Sequence, residues 1–498
     1  MELPFEKTVC RHWQQKLYTL VSQEETQELK LPESMPDVGT VIASWGQTIL
    51  RGKDWRSSGA AISGGVLVWV LYAPEGGGPI QKVESWIPFQ TRVDFPEAAE
   101  QGTLRVECVL RNLDARALSG QKLLLRAGIG LLVQAVSPAQ TEIPIPGVLP
   151  EDVEQLNRTY PVELIREAGE KHFLMEEELE LPAGLSEPEK LIYYRLTPEI
   201  LDEKVMGSKA VFRGSGRLHL MYADRDGKLR SQDWELPFAQ YVELEEEYEE
   251  SASLSTLCSL TSLEVDLRPE GGLTLKAGVE AQYLVQDVLR LELLTDAYSP
   301  CREVQLQRRS IELPAWVDSR EELMDLSQHF PGGSDRMIDT VFLPDLPKVT
   351  KYRDEAEMEF GGTFQAVFEK EDGSYWGKTL HDSQSAQWNT QCRTIPFSIP
   401  AGQVTSRREG SDWRVDTQVV LDLKSLCEQP MEAVCGMEAG ELRQPDAQRP
   451  SVIIRRRGRE QSLWELARDC GSTVEAIRHM NQMDAEPSED QLLLIPVI

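Results

Sequence analysis

The most constraining feature of this chain is that it repeats itself. Leu29-Lys30-Leu31-Pro32 returns as Leu179-Glu180-Leu181-Pro182, and the run Gly64–Tyr72 returns as Gly214–Tyr222. Cys108 is answered by Cys258, and Arg126-Ala127-Gly128-Ile129 by Lys276-Ala277-Gly278-Val279. These matches all fall 150 residues apart, and a period this long means tandem domains rather than a solenoid of short units. Trp86-Ile87-Pro88-Phe89 likewise answers Trp234-Glu235-Leu236-Pro237-Phe238. A third copy is worn. Ile311-Glu312-Leu313-Pro314, Gly361–Phe368 and Ile395-Pro396-Phe397 match the same elements, but Pro314 to Phe368 spans 54 residues where Pro32 to Tyr72 spans 40. Insertions in surface loops account for the wider spacing, because added loop length costs little free energy.

Within each copy the pattern is that of strands. Val66–Tyr72 is a β-branched and aromatic run closed by Ala73-Pro74-Glu75-Gly76-Gly77-Gly78, and a second run follows at Ile80–Trp86. Arg217–Tyr222 alternates polar with apolar residues before Asp224-Arg225-Asp226-Gly227 and Lys228–Trp234, a hairpin signal. Phe364–Phe368, Glu371-Asp372-Gly373 and Ser374–Trp376 repeat the plan. Proline cannot donate to a ladder, so Pro88, Pro237 and Pro396 are expected to end or offset a strand. Short helices fit Pro188–Tyr194 and Arg320–Gln328. The fold class expected is multidomain and mainly β. Tandem β-rich copies at 1–145, 146–290 and 291–435 would each have a core of their own, followed by a linker at 436–450.

The last stretch, 451–498, changes character. Ser451–Ile454 reads as a short strand, Ser462–Cys470 as a helix capped by Ser462 and ended by Gly471, and Thr473–Asn481 as a second helix. Leu492–Pro496 closes as a strand, giving the order βααβ.

Composition excludes several classes. With 52 Lys+Arg against 82 Asp+Glu the formal net charge is −30. Such a surface repels nucleic-acid phosphates and anionic membranes. Yet 41% hydrophobic and 27% charged residues make a globular composition. No apolar stretch reaches the roughly twenty residues needed for a membrane helix, and Met1–Lys7 has no secretory pattern, so a cytoplasmic protein without membrane insertion is expected. Eight scattered cysteines without a Cys-x-x-Cys read as thiols acting as small hydrophobes. The charge is unevenly placed. Residues 451–498 hold six Arg and eight acidic residues, a net of −2, so residues 1–450 carry −28.

No constellation of catalytic or metal-ligating residues stands out, and the expectation is a non-enzymatic chain with no cofactor and no metal. Six histidines occur without His-Glu-x-x-His spacing. His219 alternates with Leu218 and Leu220 and reads as an exposed strand residue. Gly377-Lys378-Thr379 lacks the glycine spacing of a phosphate loop. Glu176–Glu178 and Glu245–Glu250 read as solvated faces. Arg455-Arg456-Arg457 is the one dense basic run: either charge that protects an edge strand or a dock for an acidic partner. Trp464, Trp86 and Trp234 are expected in domain cores.

Ser462-Leu463-Trp464, Leu466-Ala467, Gly471, Ile477, Asn481 and Ile495-Pro496 make the tail resemble a LysM module. Glu460-Gln461 stand where that family has Gly-Asp, and Glu489-Asp490-Gln491 where it has Pro-Gly-Gln, which shifts the expectation from glycan toward protein binding. The candidate contact residues are Arg455, Arg456, Arg457, Glu460, Gln461, Ser462, Asn481, Asp490 and Gln491. Pro36-Asp37, the glycine-rich strand ending at Leu71-Tyr72, and the Pro-Phe element make the repeats resemble SPOCS (DUF3794) domains of spore-coat assembly. The combined architecture is similar to SipL-like spore morphogenetic proteins. That resemblance implies a mother-cell scaffold recruited to the forespore surface by a SpoIVA-like ATPase of the coat basement layer, alongside other spore-envelope proteins. The alternative is a peptidoglycan-binding protein that reads N-acetylglucosamine polymers through its LysM module.

Overall fold

The computed structural model describes residues 2–3, 5–269, 271–443, 450–458, 461–483, 487–488 and 491–498. The protein is mainly β, and among the described residues the only helices are two in the tail. β1 (Glu2–Leu3) precedes copy one, which comprises β2 (Phe5–Lys30), β3 (Val38–Arg56), β4 (Gly59–Pro74), β5 (Gln81–Asp94), β6 (Thr103–Ser119) and β7 (Lys122–Pro146). Copy two is β8 (Glu154–Leu179), β9 (Pro188–Asp224), β10 (Leu229–Tyr248), β11 (Ser253–Leu267) and β12 (Leu273–Tyr298). Copy three is β13 (Val304–Pro331), β14 (Arg336–Pro344), β15 (Lys348–Tyr352), β16 (Glu355–Glu369), β17 (Tyr375–Asn389), β18 (Arg393–Pro396), β19 (Gln403–Glu409) and β20 (Asp412–Ala439). The tail is β21 (Val452–Arg456), α1 (Leu463–Cys470), α2 (Val474–Asn481) and β22 (Leu492–Pro496).

In each copy the first and last strands pair along their whole length: β2 with β7, β8 with β12, β13 with β20. Each ribbon shifts register at an equivalent point, skipping Lys16, Arg166 and Val317. An unpaired residue bends a ribbon and increases its twist. Beyond these bulges the three ribbons turn toward one another. Trp13 of β2 bridges to Ile165 of β8, and Glu163 of β8 to Trp316 of β13. Cys10 and Ile143, Val162 and Leu293, and Leu313 and Met431 then form one cluster drawn from all three copies. Each such fully buried aliphatic side chain contributes roughly 1.5–3 kcal/mol.

The copies meet again on the other side of the bulges. Trp45 and Trp69 of copy one pack with Tyr193 and Met221 of copy two and with Val341 and Val367 of copy three. Trp45 stacks on Tyr193 at 4.4 Å. Tyr193 donates to Asp339 Oδ2 at 2.7 Å, and His219 lies between Asp233 Oδ1 (2.6 Å) and Asp339 Oδ1 (2.9 Å), the second contact lacking hydrogen-bond alignment. Burial alone would lower the His219 pKa, but the two carboxylates overcome it and push it up to about 10. His219 is therefore a half-buried cation between copies two and three, not an exposed strand residue. Three tandem copies make one intramolecular pseudo-trimer.

The repeated tyrosine has a specific task. Tyr72 donates to Pro36 O at 2.9 Å, and Tyr222 to Ser186 O at 3.1 Å. Both rings are fully buried, and both hydroxyls tie the central strand to the loop after the first long strand. In copy three Phe368 occupies the position without a hydroxyl. It stacks on Trp376 at 4.5 Å, and the indoles of Trp376 and Trp413 donate to Asp335 Oδ2 (2.7 Å) and Asp335 O (3.2 Å). Two tryptophans hold in copy three the loop that one tyrosine holds elsewhere.

Several sequence expectations need correction. Ile311–Pro314 lies in the middle of β13, whereas Leu29–Pro32 and Leu179–Pro182 lie at strand ends, so the third match is not equivalent. Phe89 pairs with Gly64 in copy one, and the matching partner of Phe360 is Gln384, not Phe397. Aligned on the bulges, copy three runs 51 residues from Val317 to Phe368 where the others run 56 from Lys16 to Tyr72 and from Arg166 to Tyr222, so over this stretch it is shorter and needs no insertion. Pro88 and Pro237 sit inside β5 and β10, opposite Gly65 and Ser215, on strands that among the described residues pair along one edge only, the place in a sheet where proline is tolerated. Pro396 does end a strand. The expected helices at Pro188–Tyr194 and Arg320–Gln328 are parts of β9 and β13. Ladder pairing from Arg320–Leu423 to Gln328–Val415 overrides good local helix propensity. Cys392 and Cys427 form a disulfide, with Cα atoms 5.1 Å apart, so the cysteines are not all thiols. Gly377-Lys378-Thr379 is an ordinary piece of β17, paired with Gln365–Val367.

Candidate functional site: the C-terminal module

The tail builds a small body of its own from strong local signals. Ser462 caps α1, its hydroxyl accepting from Glu465 N while the Glu465 carboxylate accepts from Ser462 N at 2.8 Å. These bonds also hold the Glu465 carboxyl below its ordinary pKa. Gly471 ends α1 at φ 63°, a left-handed conformation that a side chain would strain. Thr473 caps α2 through Ala476 N. Leu463, Leu466, Ala467, Ile477, Leu493 and Ile495 form the core between the helices and the β21–β22 pair.

The sequence-derived contact residues divide into different roles. Asn481 donates to Ile477 O and Leu494 O and accepts from Leu494 N, which uses its amide to tie α2 to β22. Ser462 is spent as the helix cap. Arg457 Nε donates to Gln461 O at 2.6 Å, its Nη1 donates to Pro487 O, and its backbone N donates to Gln491 O at 3.0 Å. It thereby acts as a strut between the two loops. Gln491 accepts from Ser488 N, and Gln461 reaches Asp469. Arg455 Nη1 reaches Cys470 Sγ at 3.3 Å, on the face opposite Arg456. Glu460 and Asp490 lie outside the described residues. The basic run is thus three separate devices, of which Arg456 alone points outward beside an apolar surface.

That surface was not anticipated from the sequence. Along β21, Val452, Ile454 and Arg456 share the outer face. Across from them on β22 stand Pro496, Leu494 and Leu492. Ile454 is 68% exposed and Leu492 62%, with Val452 and Leu494 also open to solvent. An apolar sheet face left uncovered on a small module marks an interaction surface. Val452-Ile453-Ile454 and Leu492-Leu493-Leu494 are apolar throughout, so the sequence shows no alternation that would mark the outer face.

The opposite side of the tail is already engaged. Trp464 Nε1 and Arg468 Nη1 both donate to Asp296 Oδ2, at 2.8 and 2.7 Å, and Arg308 Nη2 reaches Asp296 Oδ1 at 2.6 Å. Tyr298 packs edge-on against Trp464 at 4.7 Å and donates to Ser472 O at 3.0 Å. Trp464 is therefore the contact between tail and body, not the middle of the tail's core. Trp86, likewise expected in copy one's core, packs beside the cluster of copy two.

Among the described residues no helix is long and apolar enough to cross a membrane. No family model matches the chain, and no curated protein or solved structure matches it either.

Proposed function

We propose that this chain is a non-enzymatic scaffold of endospore-coat assembly, with a LysM-like tail that docks on a SpoIVA-like ATPase of the basement layer. The observation that carries the docking role is the uncovered face of Val452, Ile454, Leu492 and Leu494 with Arg456 at its end. The tail's loops, where LysM relatives hold glycan, are bridged internally by Arg457, which favours a protein partner over an N-acetylglucosamine polymer. The net charge of −28 on residues 1–450 suits a body that stays dispersed while the tail docks.

The test is a pull-down of the full chain with a SpoIVA-like ATPase, comparing the parent with Ile454→Asp/Leu492→Asp. Capture falls at least tenfold in the variant if the face docks. Unchanged capture removes the role from this face. Saturable binding to purified sacculi that the variant leaves intact would favour the peptidoglycan alternative.

A further inference from the structure

The junction of the three copies is not solid. Between the bulge cluster (Val136, Ile165, Leu284, Trp316, Phe397) and the Trp45–Tyr193 cluster lies a cavity of about 520 Å³. Equivalent segments of all three copies line it: Arg105 and Glu107–Leu110 of β6, Ser255–Leu260 of β11 and Phe397–Ala401 after β18. A volume in this range holds a small organic molecule.

Its charges are of both signs and, among the described residues, meet without a direct ion pair, Arg105 acting on Glu107, Glu203 and Asp422 only across the space between them. Arg105 is 3% exposed; its Nη atoms donate to Phe397 O, Gln134 and Ser255, and its Nε–H finds no acceptor. Arg195 donates to Phe342 O. Among the described residues neither guanidinium has a carboxylate within 4.0 Å. Glu107 accepts from Ile399 N and Glu203 from Thr256 N, and Asp422 lines the same space. Burial pushes Glu107 and Glu203 each up to about 7. Arg105 thus keeps neutral acceptors and one unused donor but no directly paired carboxylate, and a buried charge held without its counter-ion is costly. Such an arrangement, facing a cavity, is the mark of a site awaiting a ligand of matching charge. Its exposed side is mixed: Leu201 (67% exposed) and Val420 (50%) give it apolar surface, and Glu199, Asp202 and Gln418 beside them are open to solvent as well.

We propose that the cavity binds a small zwitterion of the amino-acid class, its carboxylate facing Arg105, its ammonium facing Glu107 and Glu203, and its side chain toward Leu201 and Val420. The site exists only where the three copies meet, so occupancy would fasten the pseudo-trimer. This proposal does not depend on the docking role of the tail.

The experiment is calorimetric titration of the full chain with each of the twenty free amino acids, followed for L-leucine by its charge-deleted analogues leucinamide and N-acetyl-L-leucine. Saturable binding of an apolar amino acid is expected, at least tenfold weaker for each analogue. Leu201→Trp narrows the mouth from an exposed position, and it should weaken binding tenfold while leaving the melting temperature without ligand unchanged. Arg105→Met should abolish binding, with circular dichroism reporting whether it folds. The proposal is overturned if no amino acid binds, if either analogue binds as well as its parent, or if Leu201→Trp binds normally.

Discussion

Copies one and two solve the same problem alike, and copy three solves it differently. In the first two, a buried tyrosine hydroxyl reaches a loop carbonyl 36 residues back. In copy three a phenylalanine takes the ring's place, two indoles take over the hydrogen bonds, and a disulfide joins Cys392 to Cys427 across the neighbouring strands. Copy three also divides the equivalent of β3 into β14 and β15 around Pro347, and the equivalent of β6 into β18 and β19 around Phe397. The broken strands free residues for the junction: Phe397 covers Arg105 with its ring at 4.3 Å and accepts from it. The divergent copy carries the contacts that a symmetric copy could not supply, and it substitutes aromatic packing and a cross-link for lost regularity.

The largest test of this contrast is Phe368→Ala. Removing a fully buried ring that stacks on Trp376 should destabilise copy three by about 3–5 kcal/mol in chemical denaturation. An effect no greater than that of an exposed substitution would show that Trp376 and Trp413 hold the loop without it. Next comes Cys392→Ser/Cys427→Ser, which opens a 35-residue separation and should cost about 3 kcal/mol, with reductant matching the variant in melting temperature. If reductant leaves the parent unchanged, the cross-link is not what compensates the third copy.

The contact between copies two and three gives a pH test. The His219 pKa is raised on folding, so its contribution is fully present below about pH 6.5 and fades as pH rises toward about 10. His219→Gln should lose about 2 kcal/mol at pH 6 and little at pH 10, flattening the alkaline decline of the melting curve. Parallel profiles for parent and variant would remove His219 from the interface. The smallest effects belong to Tyr72→Phe and Tyr222→Phe, each leaving one carbonyl without its donor, for about 1–2 kcal/mol. The two values should agree, since the copies do; a severalfold difference would break the equivalence of copies one and two.

The duplication was legible because Tyr72 and Tyr222, and Cys108 and Cys258, keep one spacing, and the hairpins because Asp224–Gly227 and Glu371–Gly373 carry turn chemistry. Gly227 and Gly373 do adopt positive φ. The convergence of the three ribbons was not legible. It depends on unpaired residues at Lys16, Arg166 and Val317, two long cations and a β-branched aliphatic, because a bulge is a property of pairing and not of residue type. Arg320–Gln328 misled for the opposite reason: its Glu, Leu and Met are good helix formers, and only the partner strand makes it extended. In the tail the cap Ser462 and the stop Gly471 were readable as local signals, whereas Thr473, read as the start of the second helix, is its cap. The outer face of β21 and β22 was not, since residues of both faces are apolar. The cavity charges Arg105, Glu107 and Glu203 are brought together only by the fold.

The bent ribbons also fix a stoichiometry. Three separate one-copy chains closing the same ring would present three tails, and a lattice could branch from each. Fusing the copies end to end closes the ring within one polypeptide and leaves a single tail, attached beside Asp296 of copy two. If the tail docks as proposed, each such ring brings one arm to the contact, and a layer built through that arm would be decorated by the rings and not cross-linked by them.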